Sequence, residues 1–141
     1  MHAAQGAISW KMHMIMDSPT ATAEERKTWE ETDKRVAFTE LHGLAMADMD
    51  GDGLRDIVTG KRWWSGAEDT QYNLDEPPVL YWFKLVRKRG GQVEFVPHMI
   101  SNRADIGTQV IAVDLNGDGK PDVAAAGRTG ALVFFNNLKE R

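Results

Sequence analysis

The chain has 141 residues, of which 42% are hydrophobic and 27% are charged, and its formal net charge is −4. A chain of this size predicts a single modest domain. It has no cysteine for disulfides or thiol chemistry. It also lacks both the apolar run of about 18 residues that predicts a membrane span and the concentrated basic surface that binds nucleic acid. We therefore expect neither a membrane span nor a nucleic-acid partner.

The first predicted element is a strand over residues 8–16. Apolar side chains alternate with other residues along it, which is the period of a half-buried strand. Two interpretations of its methionine stripe are open. Packing of the pliable methionine side chains between sheets is favoured, and the alternative is a copper(I) site formed with His2 and His13. The alternating apolar residues are Trp10, Met12, Met14 and Met16.

The next segment, residues 17–35, is polar and predicts an insertion between strands. Thr22 and Glu25 have the spacing of a capping box, in which each side chain satisfies a free main-chain N–H at a helix start. We therefore expect one helix near residues 23–34, which decorates the edge of a sheet.

Two nine-residue stretches, 48–56 and 114–122, carry the strongest chemical signal; we name them the first and second acidic loops. Each has oxygen-bearing side chains at positions 1, 3, 5 and 9 and glycine at positions 4 and 6. This spacing suits a hard cation that takes about six to eight oxygen ligands, and glycine supplies the backbone angles of a tight turn. Four side chains and the carbonyl of position 7 are predicted to bind Ca²⁺ in each loop, giving two sites. These ligands are Asp48, Asp50, Asp52, Leu54 and Asp56 in the first loop, and Asp114, Asn116, Asp118, Lys120 and Asp122 in the second.

The flanks of the loops exclude an EF-hand. An EF-hand loop carries a bidentate glutamate at position 12 and lies between helices, but position 12 is Thr59 in the first loop and Ala125 in the second. Dockerin-type loops fail for the same reason. Short apolar runs precede and follow each loop, so the sequence predicts two β-hairpins whose turns are metal sites.

This motif resembles the FG-GAP/VCBS repeat, whose acidic loop is followed by an apolar strand and a glycine. Short phrases such as His42-Gly43 and Gly107-Thr108 also resemble secreted planctomycete-type bacterial proteins of this group. The resemblance covers most of residues 36–137. It implies calcium binding and the blades of a β-propeller, as in the integrin α-subunit head. It does not imply one function, because such repeats serve adhesion, sugar binding and lyase scaffolds.

The expected fold is all-β, with about two antiparallel propeller-type blades in a single segment over residues 1–141. A repeated His-Met-Ile, at 13–15 and 98–100, supports internal repetition. A complete blade is expected over residues 42–100 and a partial blade over 108–137. The predicted strands are 42–48, 56–64, 79–87 and 93–100 in the complete blade, and 108–114, 122–127 and 131–136 in the partial blade.

This number of blades is too small to close a ring, since propellers have about four to eight. The strand over 8–16 is of the kind that the last blade lacks, so it is expected to be the outer strand of an adjoining blade, within the chain or in a neighbour. We therefore expect a homo-oligomer or the remainder of a longer propeller chain.

Aromatic residues after the second strand are candidates for carbohydrate binding. An exposed indole of Trp63 or Trp64 could stack on a sugar ring, with Arg62 hydrogen-bonding its hydroxyls; the alternative is that one tryptophan packs between blades. A lyase would need a base beside a carboxylate-binding group, and His42, Arg62 and Tyr72 are the one plausible trio. No catalytic triad, phosphate loop or zinc spacing stands out.

The expected function is thus a non-catalytic, calcium-binding module that recognises carbohydrate or extracellular matrix, or a scaffold within a larger secreted protein. The alternative is a polysaccharide-active lyase or hydrolase. The opening residues 1–6 show no signal peptide. Weak calcium modules work where the ion is near millimolar, outside cells, so a secreted or periplasmic location is expected.

Overall fold

The computed structural model describes residues 8–10, 12–16, 36–63, 77–128 and 130–138, and the strands among them form two antiparallel sheets. This confirms the all-β expectation. The inserted helix near 23–34 falls outside the described residues. The strands are β1 (Leu41–Ala47), β2 (Asp56–Lys61), β3 (Leu80–Arg87), β4 (Val93–Ser101), β5 (Val110–Val113), β6 (Asp122–Gly127) and β7 (Gly130–Phe134).

The first sheet is a meander in the order β1-β2-β3-β4, with every neighbouring pair antiparallel. A short 3-10 turn, Arg89–Gly91, joins β3 to β4. Trp82 and His98 are direct cross-strand partners, and their rings stack with centroids 4.4 Å apart. This order and pairing are those of one propeller-type blade.

Strand β2 ends three residues earlier than the predicted 56–64 range. The amide of Arg62 donates to the carbonyl of Glu40, and the amide of Trp63 donates to the carboxylate of Asp105 at 2.7 Å. Because these amides bond to a loop carbonyl and a side chain, the ladder with a neighbouring strand stops at Lys61.

The second sheet has the order β5-β6-β7 and packs its face against the first. The approach of β1 to β5 is close: a Cβ placed on Gly43 would lie 2.9 Å from the amide nitrogen of Val110. The core between the sheets is apolar and comprises Met49, Val58, Leu80, Ala104, Ile106, Val110, Val123 and Ala125.

Register makes the two sheets equivalent. Ile57 pairs with Phe83 in the first sheet, as Val123 pairs with Phe134 in the second. Val123 and Phe134 face the first sheet, whereas Ile57 and Phe83 face away from the second. The face of the first sheet that packs against the second is therefore not equivalent to the face of the second that packs against the first. Successive blades of a propeller pack in this way, each with one face on the preceding blade and the other on the following blade.

Each sheet keeps one outward face that this packing does not cover. On the far face of the second sheet, Ile111 is 50% exposed and Val133 is 51% exposed. On the far face of the first sheet, Leu44 is 60% exposed and Met46 is exposed as well. The pair of packed sheets thus has a partly open apolar face on each outer side, and these two faces are not equivalent to each other.

The described part of 8–16 does not form the predicted strand. Trp10 and Met12 are exposed, while Met16 is buried against Phe38 and Phe83 on the far face of the first sheet. A strand needs a neighbouring edge with free N–H and C=O groups, and the segment meets a sheet face there. Among the described residues, no helix has the length and apolar character required to cross a bilayer.

Candidate metal centre

Both acidic loops are turns of β-hairpins, as the flanking runs predict. The first joins β1 to β2 and the second joins β5 to β6, each pair being antiparallel. The glycines at positions 4 and 6 have left-handed φ angles: Gly51 +78°, Gly53 +85°, Gly117 +81° and Gly119 +83°. Other residues adopt this region at a cost of about 1–2 kcal/mol, so the glycine spacing sets the shape of the turn.

The aspartate at position 1 organises each turn. Asp48 accepts hydrogen bonds from the amides of Gly51 and Gly53, both at 2.8 Å, and from the amide of Asp52. Its counterpart Asp114 accepts the amides of the two equivalent glycines at 2.7 and 2.9 Å. The bonds from Gly119 and Gly117 favour the carboxylate form of Asp114 and lower its pKa.

The aspartate at position 9 of the first loop joins the loop to β3. Asp56 is fully buried; it accepts the amide of Met49 at 3.1 Å and the amide of Leu85 at 2.8 Å. Burial raises its pKa, and the charges of Asp50 and Asp52 add to that effect, while the two amides oppose it. A cation in the loop would offset the repulsion among these carboxylates.

The second loop repeats this arrangement. Asp122, also fully buried, accepts the amide of Leu115 at 3.0 Å and the amide of Asn136 at 2.8 Å. The side chain of Asn136 in turn donates to the carbonyl of Met49 in the first loop at 2.8 Å. Asn136 therefore links the two loops across the interface between the sheets.

The first loop brings carboxylates into metal-binding proximity. Asp48, Asp50 and Asp56 each offer an oxygen, and these oxygens lie within 4.8 Å of one another. Oxygens bound at about 2.3–2.6 Å to one Ca²⁺ must lie within about 5 Å of each other. Asp50 Oδ1 is buried and accepts no hydrogen bond from the described residues. The donor set therefore fits a hard divalent cation.

A lysine that the sequence analysis missed contacts this cluster. Lys84 of β3 extends its ammonium group to Asp50 Oδ2 and lies 2.9 Å from Asp52 Oδ2. The contacts raise the pKa of Lys84 and lower the pKa of Asp52. The available signal was a single cation within the apolar run 79–86.

Both loops line one cleft. It has a volume of 750 Å³ and lies between the loops, at the end of the two sheets where the β1–β2 and β5–β6 turns lie. Asp48, Asp50 and Asp52 line it from the first loop, and Asp118 and Lys120 line it from the second. Five of the predicted ligand residues thus border a shared space.

The other candidate residues lie at the opposite end of the strands of the first sheet from the first acidic loop. Arg62 and Trp63 follow the far end of β2, roughly 20 Å along the strand from the first loop. A ring nitrogen of His42 lies 2.6 Å from Arg62 Nη1, and the Trp63 side chain is 48% exposed. Trp64 and Tyr72 fall outside the described residues, so carbohydrate binding and lyase chemistry stay predictions.

A second residue that the sequence analysis did not identify holds chain segments together at this end of the strands. Asp105 is buried in the link between β4 and β5 and accepts the amides of Trp63 at 2.7 Å and Arg128 at 2.6 Å. It joins the end of β2 to the β6–β7 turn. No sequence motif around Asp105, which lies in a loop between strands, indicated that it would bridge these two segments.

Two packed antiparallel sheets, each with an acidic β-hairpin turn, define a repeat protein built from propeller-type blades. Residues 48–125, more than half of the chain, match the family described as FG-GAP-like repeat. The chain therefore belongs to the FG-GAP-like repeat family, as its motif predicted; the match does not bear on planctomycete-type proteins. Neither the search of curated proteins nor the search of solved structures found a match.

Proposed function

We propose that this chain is a calcium-stabilised blade module, in which Ca²⁺ fastens the β1–β2 and β5–β6 turns. The oxygens of Asp48, Asp50 and Asp56, gathered within 4.8 Å, carry the proposal. Repeats of this family often bind calcium, which supports the choice of ion. The metal's role is structural: it neutralises clustered carboxylates and is bound by the folded turn alone.

Calcium is expected to raise the melting temperature. A ligand that binds the folded state alone at about ten times its dissociation constant adds about 1.4 kcal/mol per site, or about 3 kcal/mol for two sites. For a domain of this size, such a gain corresponds to a shift of roughly 10 °C. Calorimetry in millimolar CaCl₂ and in EGTA measures it, with MgCl₂ at equal ionic strength as the ion control.

Matched variants separate ion binding from general charge effects. Asp50→Asn combined with Asp118→Asn should abolish most of the calcium-dependent shift, because each loop loses a carboxylate. Glu94→Gln removes an acid that pairs with Lys88 at 2.7 Å, away from both loops, and should leave the shift intact. A melting temperature that is the same in CaCl₂ and EGTA would contradict the proposal.

The module is also proposed to pack between further blades. The open face of the second sheet is equivalent, by register, to the face that the first sheet buries in the shared core. The far face of the first sheet is equivalent to the face that the second sheet buries in the shared core. Met16 and Phe38 cover part of this far face, while Leu44 and Met46 of β1 stay exposed on it. One chain thus carries both halves of an interface that it already forms once internally.

The chain is expected to self-associate head to tail through these faces. Sedimentation should show species whose mass is a multiple of 15.8 kDa, and Val133→Glu should shift them towards monomer by placing a charge on the open face. Gln92→Glu, in the exposed turn between β3 and β4, also adds a negative charge but lies outside both faces, and it should leave association intact. A monomeric natural chain would exclude a ring of copies and leave a longer polypeptide as the source of further blades.

A further inference from the structure

We infer that Lys84 is a built-in counter-ion of the first acidic loop and competes there with calcium, so that the two loops bind the ion with different affinities. The inference rests on the calcium function proposed above. It goes beyond that function because it assigns a regulating residue and ranks the two sites.

Lys84 reaches the first loop from a different hairpin. Its ammonium group contacts Asp50 Oδ2 and lies 2.9 Å from Asp52 Oδ2, so it engages loop positions 3 and 5 together. The Lys84 side chain is 24% exposed and that of Asp50 is 12% exposed. A partly buried, charge-assisted pair is stronger than one in open water. One of the four carboxylate charges of the first loop is therefore offset without a metal.

The register between sheets identifies the counterpart of Lys84. The amide of Leu85 donates to Asp56, and the amide of Asn136 donates to the equivalent Asp122. The residues directly before these two donors are therefore equivalent: Lys84 of β3 corresponds to Phe135, which directly follows β7.

Within the part of the chain that the structure describes, the second loop has no such cation. Phe135 is apolar and 55% exposed. Lys120, the cation within the second loop, forms no ion pair with any described residue; its amide donates to Asp118 at 2.9 Å. The carboxylates of this loop are held by backbone amides and a neighbouring asparagine, which leaves their negative charge available to an ion.

The difference has a direct consequence for binding. An ion that coordinates Asp50 Oδ2 or Asp52 Oδ2 must displace the Lys84 ammonium from that oxygen. An ion bound through Asp50 Oδ1 is repelled by the like charge of the nearby ammonium. Calcium entering the second loop meets neither cost. We expect the second loop to bind calcium about tenfold or more tightly than the first, the effect of losing one charge-assisted bond.

Calcium titration followed by two-dimensional ¹H–¹⁵N NMR resolves the two sites. The glycine amides of each turn are the reporters: Gly51 and Gly53 for the first loop, and Gly117 and Gly119 for the second. In the natural chain the second pair should shift at lower calcium concentration. Lys84→Gln should move the first pair to about tenfold lower calcium concentration and leave the second pair unchanged.

Three further variants complete the design. Lys88→Gln breaks the ion pair with Glu94 away from the loops and should change neither site. Lys84→Met retains the aliphatic stem and serves if the glutamine variant is unstable. Phe135→Lys places a cation at the position equivalent to Lys84, directly after β7, and should weaken the response of Gly117 and Gly119.

The outcomes separate this inference from the calcium function. Two loops that respond equally, with no change on Lys84→Gln or Lys84→Met, would overturn the role of Lys84 and leave calcium binding in place. Glycine amides that fail to respond to calcium in every variant would overturn the calcium function itself. A Lys84 variant that weakens the first site would also overturn the competition and show that the lysine supports binding.

Discussion

Gly60→Ala is expected to lower the free energy of unfolding by about 3 kcal/mol, the upper part of the range for overpacking a core. A Cβ at this position of β2 would lie 2.2 Å from the carbonyl oxygen of Val79 and 2.6 Å from Ile106 Cγ1. One of these neighbours is backbone and cannot yield as a flexible side chain would. Urea unfolding followed by tryptophan fluorescence measures the change.

Gly90→Ala is the matched control for this substitution. Gly90 has φ +79°, but no atom lies within 4 Å of its added Cβ. Only the strain of a left-handed alanine remains, which costs about 1–2 kcal/mol. If Gly60→Ala costs no more than Gly90→Ala, the tight contact between β2 and the β4–β5 link does not limit the packing of the sheets.

Asp56→Ala is expected to cost roughly 2–5 kcal/mol when measured in EGTA, where ion binding does not contribute. The substitution leaves the amides of Met49 and Leu85 without their acceptor inside the sheet. An unsatisfied buried donor costs about 1–3 kcal/mol. Thermal unfolding by circular dichroism measures the loss, and Asp56→Asn should recover part of it because its amide oxygen accepts one bond.

Asp52→Ala provides the comparison within the same loop. Asp52 is exposed, and it accepts the amide of Leu54 and pairs with Lys84 at the surface. Exposed ion pairs contribute about 0–1 kcal/mol, so this variant should remain close to the natural chain. Equal losses for Asp52→Ala and Asp56→Ala would mean that the buried link to β3 adds nothing to stability.

Much of the fold follows from local sequence. The four-stranded and three-stranded sheets were expected because apolar runs flank the two acidic loops, and their spacing permits hairpins. Strand ends were less certain: β2 stops at Lys61 because Arg62 and Trp63 find partners outside the ladder. The segment over 8–16 has a strand-like period, but Met16 packs on a sheet face. Periodicity records which side chains can be buried and does not identify a hydrogen-bonding partner.

The candidate site divides in the same way. Position 1 aspartates and positive-φ glycines act within five residues of one another, so their spacing predicts the turn directly. Lys84 lies 34 residues from Asp50 in sequence, and Asn136 lies 87 residues from Met49. These contacts depend on strand register and on the packing of two sheets, which leave no local mark.

The sequence alone determined the two acidic β-hairpins, the family and the donor atoms available to a cation, because each depends on short-range spacing and backbone preference. The tertiary structure alone decided that a lysine from β3 contacts one loop and that a phenylalanine directly after β7 takes the equivalent position beside the other loop. It also decided which apolar faces are covered and which stay open. Those features arise where distant segments pack together, and burial and charge at such places are properties of the assembled sheets.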